Sequence, residues 1–214
     1  MDLAKRLYSS SAQALAAIPV LEDFSSRARV DDAYGWRRWV ASLLAIHQPR
    51  RMIALDCPWW HVEATREVAE FLAARPGARV FEYGSGASTA WLARRAREVI
   101  SVEHHGDWHK LLTPLVAEFT NVQLWHRELA GNDYVGAIAE AGGQFDLIVV
   151  DGRRRIECLD RALPYLRPGG IVLFDDSGRS RYRAGIAACG LQEKRFFGRS
   201  YCVPYPDYSS ILHG

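Results

Sequence analysis

Two short runs constrain this chain more than anything else in it. They are Phe145-Asp146-Leu147-Ile148-Val149-Val150 and Ile171-Val172-Leu173-Phe174, and both run straight into aspartate. Strands so short and so apolar have no polar face, so they belong to a sheet covered on both sides. Three more strand candidates come earlier, at 79–83, 99–103 and 122–125, and stretches such as 88–97 and 157–166 carry helical spacing. Strands that alternate with helices imply right-handed crossovers and a parallel sheet. The rhythm breaks near the C-terminus, where 191–197 and 208–213 read as strands joined by a loop without a helix. The expected architecture is α/β: a doubly wound, mostly parallel seven-stranded sheet closed by an antiparallel C-terminal hairpin.

Before Pro76-Gly77 the pattern is helical. Leu3, Leu7, Leu15 and Ile18 mark one segment, and Trp36, Trp39, Val40, Leu43 and Leu44 a second. A third starts after Pro58, carries Val62, Val68, Phe71 and Leu72, and ends before Pro76. The chain therefore divides into a helical N-terminal extension or cap, 1–77, and a sheet domain, 78–214. With 49% apolar and 24% charged residues, the composition excludes a disordered or fibrous chain. No run reaches the ~18 apolar residues of a spanning helix, so no membrane partner is expected. A net charge of +2 is too small to argue for nucleic acid. Cys57, Cys158, Cys189 and Cys202 form no C-x-x-C pair, which fits a reducing compartment, and the cytoplasm is the expected location.

The first strand leads into Glu82-Tyr83-Gly84-Ser85-Gly86-Ala87-Ser88-Thr89, after which a helix begins. Glycines at such a turn let the backbone approach a ligand closely. Glu103 follows Gly86 by seventeen residues and ends the second strand, where a carboxylate can accept both ribose hydroxyls of an adenosine ligand. Thr89 stands where a dinucleotide site prefers a third glycine, and Glu82 suits a ligand with a cationic amino group and a sulfonium better than a pyrophosphate. The segment resembles the first motif of the class I S-adenosylmethionine-dependent methyltransferases. The resemblance spans about 78–213 and is strongest over 79–103 and 145–177. It implies a Rossmann-like fold in which Glu82, Gly84, Ser85 and Gly86 line the methionine end, with Ser88, Thr89 and Asp151 nearby. Glu103 would hold the ribose and His104 flank the adenosine. Glu128, Asn132 and Asp133 remain equal candidates for the adenine amino group.

Asp151, Asp175 and Asp176 end two neighbouring strands, and clustered carboxylates require a cation or a shared proton. Hard oxygen ligands suit Mg²⁺. The pattern is similar to the catechol O-methyltransferase branch, which implies a metal on these three residues; Asp176 departs from it, since that branch has Asn there. Asp151 and Asp175 are the expected catalytic pair, assisting proton removal from the acceptor. The stretch Asp175–Tyr182 and Pro58-Trp59-Trp60 also resemble a group of small bacterial methyltransferases. There Arg179, with Arg153 beside Asp151, would clamp an anionic acceptor, while Trp59, Trp60 and Tyr182 would line its pocket. Arg154 and Arg155 read as solvated arginines at a helix start, and His104, His105 and His109 as non-ligands. The expected function is methyl transfer from S-adenosylmethionine to a small-molecule hydroxyl, with Mg²⁺ assistance left open. A nicotinamide-dependent oxidoreductase is disfavoured by Thr89 and the hairpin, and a non-catalytic binding or scaffold protein is the third reading. The helical extension either caps the site or forms a homodimer face.

Overall fold

The structure of the protein is a computed structural model that describes residues 19–214. The first expected helical segment, with Leu3, Leu7, Leu15 and Ile18, lies outside the described residues. Seven strands form one sheet: β1 Arg79–Tyr83, β2 Glu98–Glu103, β3 Val122–His126, β4 Phe145–Val150, β5 Leu166–Asp175, β6 Gln192–Gly198 and β7 Asp207–His213. Their order is β3-β2-β1-β4-β5-β7-β6. The pairs among β1 to β5 are parallel, and β7 runs antiparallel between β5 and β6, as the hairpin at the C-terminus implied.

Alternate strand residues enter opposite layers, as the pleat dictates. Phe81, Tyr83, Ile148, Val150 and Phe174 face a layer built on α7 (Asp133–Ala141) and α8 (Arg155–Ala162). Val80, Leu147, Val149 and Leu173 face the other, built on α4 (Val62–Ala73) and α5 (Ala87–Ala93). Helix α6 (Gly106–Val116) crosses from β2 to β3, and α9 (Ser180–Ala188) follows β5. The carboxyl ends of β1, β2, β4 and β5 thus converge on one rim.

The strand expected at 171–174 begins earlier, at Leu166. Pro168-Gly169-Gly170 lies within it. In the fold Gly169 takes a positive φ of 72° and the pairing register shifts between Phe145 and Leu147, so the strand absorbs these residues as an irregularity.

Three further helices, α1 Pro19–Arg27, α2 Trp36–Leu43 and α3 Pro49–Leu55, precede α4; α1 and α3 had no expectation. In α2 the expected apolar face is turned. Trp36 is exposed, while Arg38, Ala41 and Ser42 are buried. The reason is local: the Arg38 guanidinium donates to the carbonyls of Ala28, Arg29, Asp31 and Leu55, which draws it inward. These N-terminal helices also staple the β6–β7 loop. Trp39 Nε1 donates to Ser200 O at 2.9 Å, Tyr201 Oη to Ala33 O at 2.7 Å, and Cys202 N–H to Ser42 Oγ at 2.9 Å. None of the described helices is long and apolar enough to cross a membrane.

Candidate active site

The turn after β1 sits on a buried carboxylate. Glu82 is fully buried, with Ser88 Oγ donating to its Oε1 at 2.5 Å and Thr89 Oγ1 and Ser101 Oγ donating to Oε2 at 2.5 and 2.6 Å. Thr89 Oγ1 in turn accepts the Gly86 N–H at 3.0 Å, so one carboxylate braces the whole loop. Burial pushes the Glu82 carboxyl up to about 7, against the opposing pull of the three hydroxyls. Gly84 has φ +96°, and a Cβ there would come within 2.7 Å of Gly152 Cα, so the turns after β1 and β4 touch through their backbones.

At the end of β2, Glu103 Oε1 accepts the N–H groups of His104 and His105 at 2.8 and 2.7 Å. Its Oε2 accepts no hydrogen bond among the described residues, although the side chain is nearly buried. His104 Nδ1 lies 2.9 Å from Glu103 Oε1 without a hydrogen-bond alignment. Burial holds the His104 imidazole below its ordinary range. Trp108, on the first turn of α6, fixes the glycine loop from the side by donating from Nε1 to Ser85 O at 2.9 Å.

Three aspartates meet across the ends of β4 and β5, and the guanidinium of Arg155 stands among them. Its Nη2 donates to Asp151 Oδ1 at 2.8 Å and its Nη1 lies 3.1 Å from Asp176 Oδ2 and 3.8 Å from Asp175 Oδ2. Asp151 Oδ2 also accepts the Trp60 indole N–H at 3.2 Å, and Asp175 Oδ1 accepts the Ser209 hydroxyl at 2.7 Å. Asp176 has a second cation in Arg179, at 2.6 Å. Burial would lower the Arg155 pKa, but the three carboxylates more than offset it and hold the cation charged. Burial first, then the charges of Asp151 and Asp176, raise the Asp175 carboxyl well above the ordinary range. Burial and the neighbouring acids raise Asp151 as well, with Arg155 opposing.

These groups surround a cavity of about 420 Å³. Gly84, Ser85, Gly86, Ser88, Glu103, His104, Asp151, Arg153, Asp175, Asp176, Arg179, Tyr182 and Trp59 line it, all of them expected from the sequence. Three expected residues do not. Glu82 and Thr89 lie beneath the loop as its brace, because a carboxylate with three hydroxyl donors is satisfied without a ligand. Trp60 is fully buried against Trp91, where it anchors Asp151 rather than roofing the pocket. Glu128, Asn132 and Asp133 are exposed and none of them lines the cavity. The reading of Arg155 as a solvated arginine is corrected too: its side chain is only 8% exposed, since three carboxylates draw it inward. Sequence reasoning missed Trp108, Tyr205, Asp207 and Ser209; only Trp108, soon after Glu103, stands at a position that could have flagged it.

The donor set does not fit a metal ion. The centre of the three carboxylates is taken by a guanidinium, and no group of three His, Cys, Asp or Glu among the described residues could hold one. For an adenosine ligand the fit is better, with a glycine-lined wall beside the uncommitted Oε2 of Glu103.

Together the fold and this site resemble those of the class I S-adenosylmethionine-dependent methyltransferases. Residues 81–177 match the family described as a methyltransferase domain. The chain is similar over 98% of its length to the O-methyltransferase from Bacillus cereus in complex with SAH, of which it covers 99%, with a TM-score of 0.62 and 17% identity. It also resembles the precorrin-8w decarboxylase of Methanobacterium thermoautotrophicum, at TM-score 0.54 and 16% identity, with 73% of this chain and 91% of that one covered. The N-methyltransferase NodS of Bradyrhizobium japonicum shares the fold at TM-score 0.51 and 13% identity, over 70% of this chain and 93% of that one. No curated protein sequence matches the chain.

Proposed function

We propose that the protein transfers a methyl group from S-adenosylmethionine to a hydroxyl of a small, anionic acceptor. The observation that carries this reading is the meeting, in one cavity, of the glycine turn, the half-committed Glu103 and the strand-end Asp175. Bound S-adenosylmethionine supplies a methyl group already activated by its sulfonium charge. The chain's own residues then have to hold, orient and deprotonate.

Glu103 holds the ribose through Oε2 while Oε1 keeps the following loop in place. The backbone of Gly84, Ser85 and Gly86 and the Ser88 side chain hold the methionine end, and His104, kept neutral by burial, flanks the adenosine. Asp175 is the general base. Its Oδ1 is fixed by Ser209, its Oδ2 accepts no hydrogen bond and lies 3.8 Å from Arg155 Nη1, and its raised pKa suits proton abstraction. As the sulfur–methyl bond breaks and the oxygen–methyl bond forms, the hydroxyl proton passes to Asp175 Oδ2 and then to solvent. Asp151, with both oxygens engaged, positions rather than abstracts. Arg153 and Arg179 at the mouth receive an anionic group on the acceptor, between Trp59 and Tyr182. In this reading the described part of the helical extension, through Pro49, Met52 and Trp59, caps the cavity and 78–214 hold the two substrates.

The first test is thermal unfolding with S-adenosylhomocysteine beside a nicotinamide dinucleotide. At ~100 times the dissociation constant a ligand stabilises by about 2.7 kcal/mol, which for this chain length is a rise of roughly 5–10 °C. A selective rise with S-adenosylhomocysteine, followed by labelled methyl transfer to hydroxy acids from a mixed acceptor panel, supports the reading. A rise only with the dinucleotide overturns it.

A further inference from the structure

We infer that Arg155 is a built-in cation that occupies the strand-end carboxylate cluster in place of a metal ion, so that the site neither needs nor takes up a divalent cation. A guanidinium has five N–H groups in a fixed plane. Nε donates to Gly152 O at 3.0 Å. Nη2 donates to Asp151 O at 3.0 Å and to Asp151 Oδ1 at 2.8 Å, and Nη1 donates to Asp175 O and lies 3.1 Å from Asp176 Oδ2. Four of the five donate hydrogen bonds to the turn or strand end that supplies the aspartates, and the remaining Nη1 hydrogen lies on the side of Asp176, with which Arg155 forms an ion pair. The group is thereby held inside the cluster, which separates Arg155 from the mouth arginines Arg153 and Arg179.

Two features of the backbone show that the chain is shaped around this group. Arg154 and Asp176, the residues next to Arg155 and Asp175, both take positive φ values, 50° and 56°. Such non-glycine positions persist only where surrounding contacts over-determine them, and they gather at functional sites. Arg154 is held by its bonds to Glu157 and to the carbonyls of Leu129 and Gly131, and Asp176 by its two arginines. Tyr182 stands over the guanidinium, with its ring 5.7 Å from Cζ. A divalent ion would have to expel a cation that is tethered at both ends of the cavity wall.

The inference concerns charge and not acceptor identity, so it is tested without a turnover assay. Mn²⁺ is titrated into the wild-type protein, and the free aqueous ion is followed by electron paramagnetic resonance, with and without S-adenosylhomocysteine. The free signal is expected to rise in proportion to added ion, and S-adenosylhomocysteine affinity is expected to be the same in chelator and in excess Mg²⁺. Arg155→Ala, with its far-ultraviolet dichroism checked, is expected to remove about one equivalent of Mn²⁺ from solution, because three carboxylates then share an open centre. Arg155→Ala combined with Asp175→Asn is expected to lose that uptake. Stoichiometric Mn²⁺ binding by the wild-type protein that disappears in Asp151→Asn overturns the inference, as does a folded Arg155→Ala chain that takes up none. If Arg155→Ala does not fold, the wild-type titration decides alone. Loss of S-adenosylhomocysteine binding in the wild-type protein would instead count against the methyl-transfer reading and leave this one standing.

Discussion

The rim of the sheet buries carboxylates twice and satisfies them in opposite ways. Under the turn after β1, Glu82 is met only by hydroxyls, from Ser88, Thr89 and Ser101. Across the ends of β4 and β5, Asp151, Asp175 and Asp176 are met by a guanidinium. Burial raises the carboxyls in both places, but neutral hydroxyls oppose the rise at Glu82, whereas a fixed cation opposes it at Asp151 and Asp175. The first arrangement makes a firm floor for a ligand; the second makes a reactive wall with one carboxylate left half-paired.

The sharpest way to break that contrast is to remove the cation. Arg155→Ala should destabilise the fold by about 3–5 kcal/mol in urea unfolding, the cost of leaving buried carboxylates unpaired. The deficit should shrink in mildly acidic buffer, where the aspartates take up protons; a deficit indifferent to pH would assign it to lost packing instead. Next in size, Asp175→Asn should lower the rate of methyl transfer by about 10²-fold or more. Because the wild-type carboxyl is raised, activity should climb with pH as Asp175 loses its proton, with an acid limb above the ordinary carboxylate range. The variant should lose that limb while S-adenosylhomocysteine affinity stays near the wild-type value.

On the other side of the comparison, Glu103→Gln removes the charge facing the ribose and should weaken S-adenosylhomocysteine binding by about 10- to 100-fold in calorimetry, the span of one charged hydrogen bond. The remaining effect is read in the pH profile of stability and belongs to Glu82. Its folded pKa of about 7 lies above the ordinary carboxylate value, so the native state keeps a proton the unfolded chain has lost. Its contribution is complete in acid and falls as pH rises toward 7, with a slope approaching about 1.4 kcal/mol per pH unit. Glu82→Gln should flatten the stability profile across that window; an unchanged profile would show that the hydroxyls keep Glu82 ionised.

Much of this was legible before any coordinates. The apolar runs ending in Asp151 and Asp175 and the turn Glu82–Gly86 located the sheet and the rim that lines the cavity, because burial on both faces and close backbone approach each demand particular residue types. What sequence spacing could not convey was pairing. Arg155 looks like any arginine at a helix start until β5 brings Asp175 and Asp176 alongside Asp151. Ser209, from the antiparallel β7, reaches Asp175 across 34 residues. The same applies to Trp60, whose apolar body belongs to the core and whose single N–H fixes Asp151. Charge partners and single hydrogen bonds are set by tertiary geometry, and no local period records them.

The contact between Gly84 and Gly152 has a consequence for how such a site can change over time. In the proposed reading one turn carries the methyl donor and the other leads to the acceptor-side aspartates, and the two touch main chain to main chain. The spacing between donor and acceptor is thus a property of the backbone, like the gauge of a railway. Side chains at the mouth, among Arg179, Arg181, Tyr182, Val203 and Tyr205, can be exchanged to admit new cargo without moving the rails.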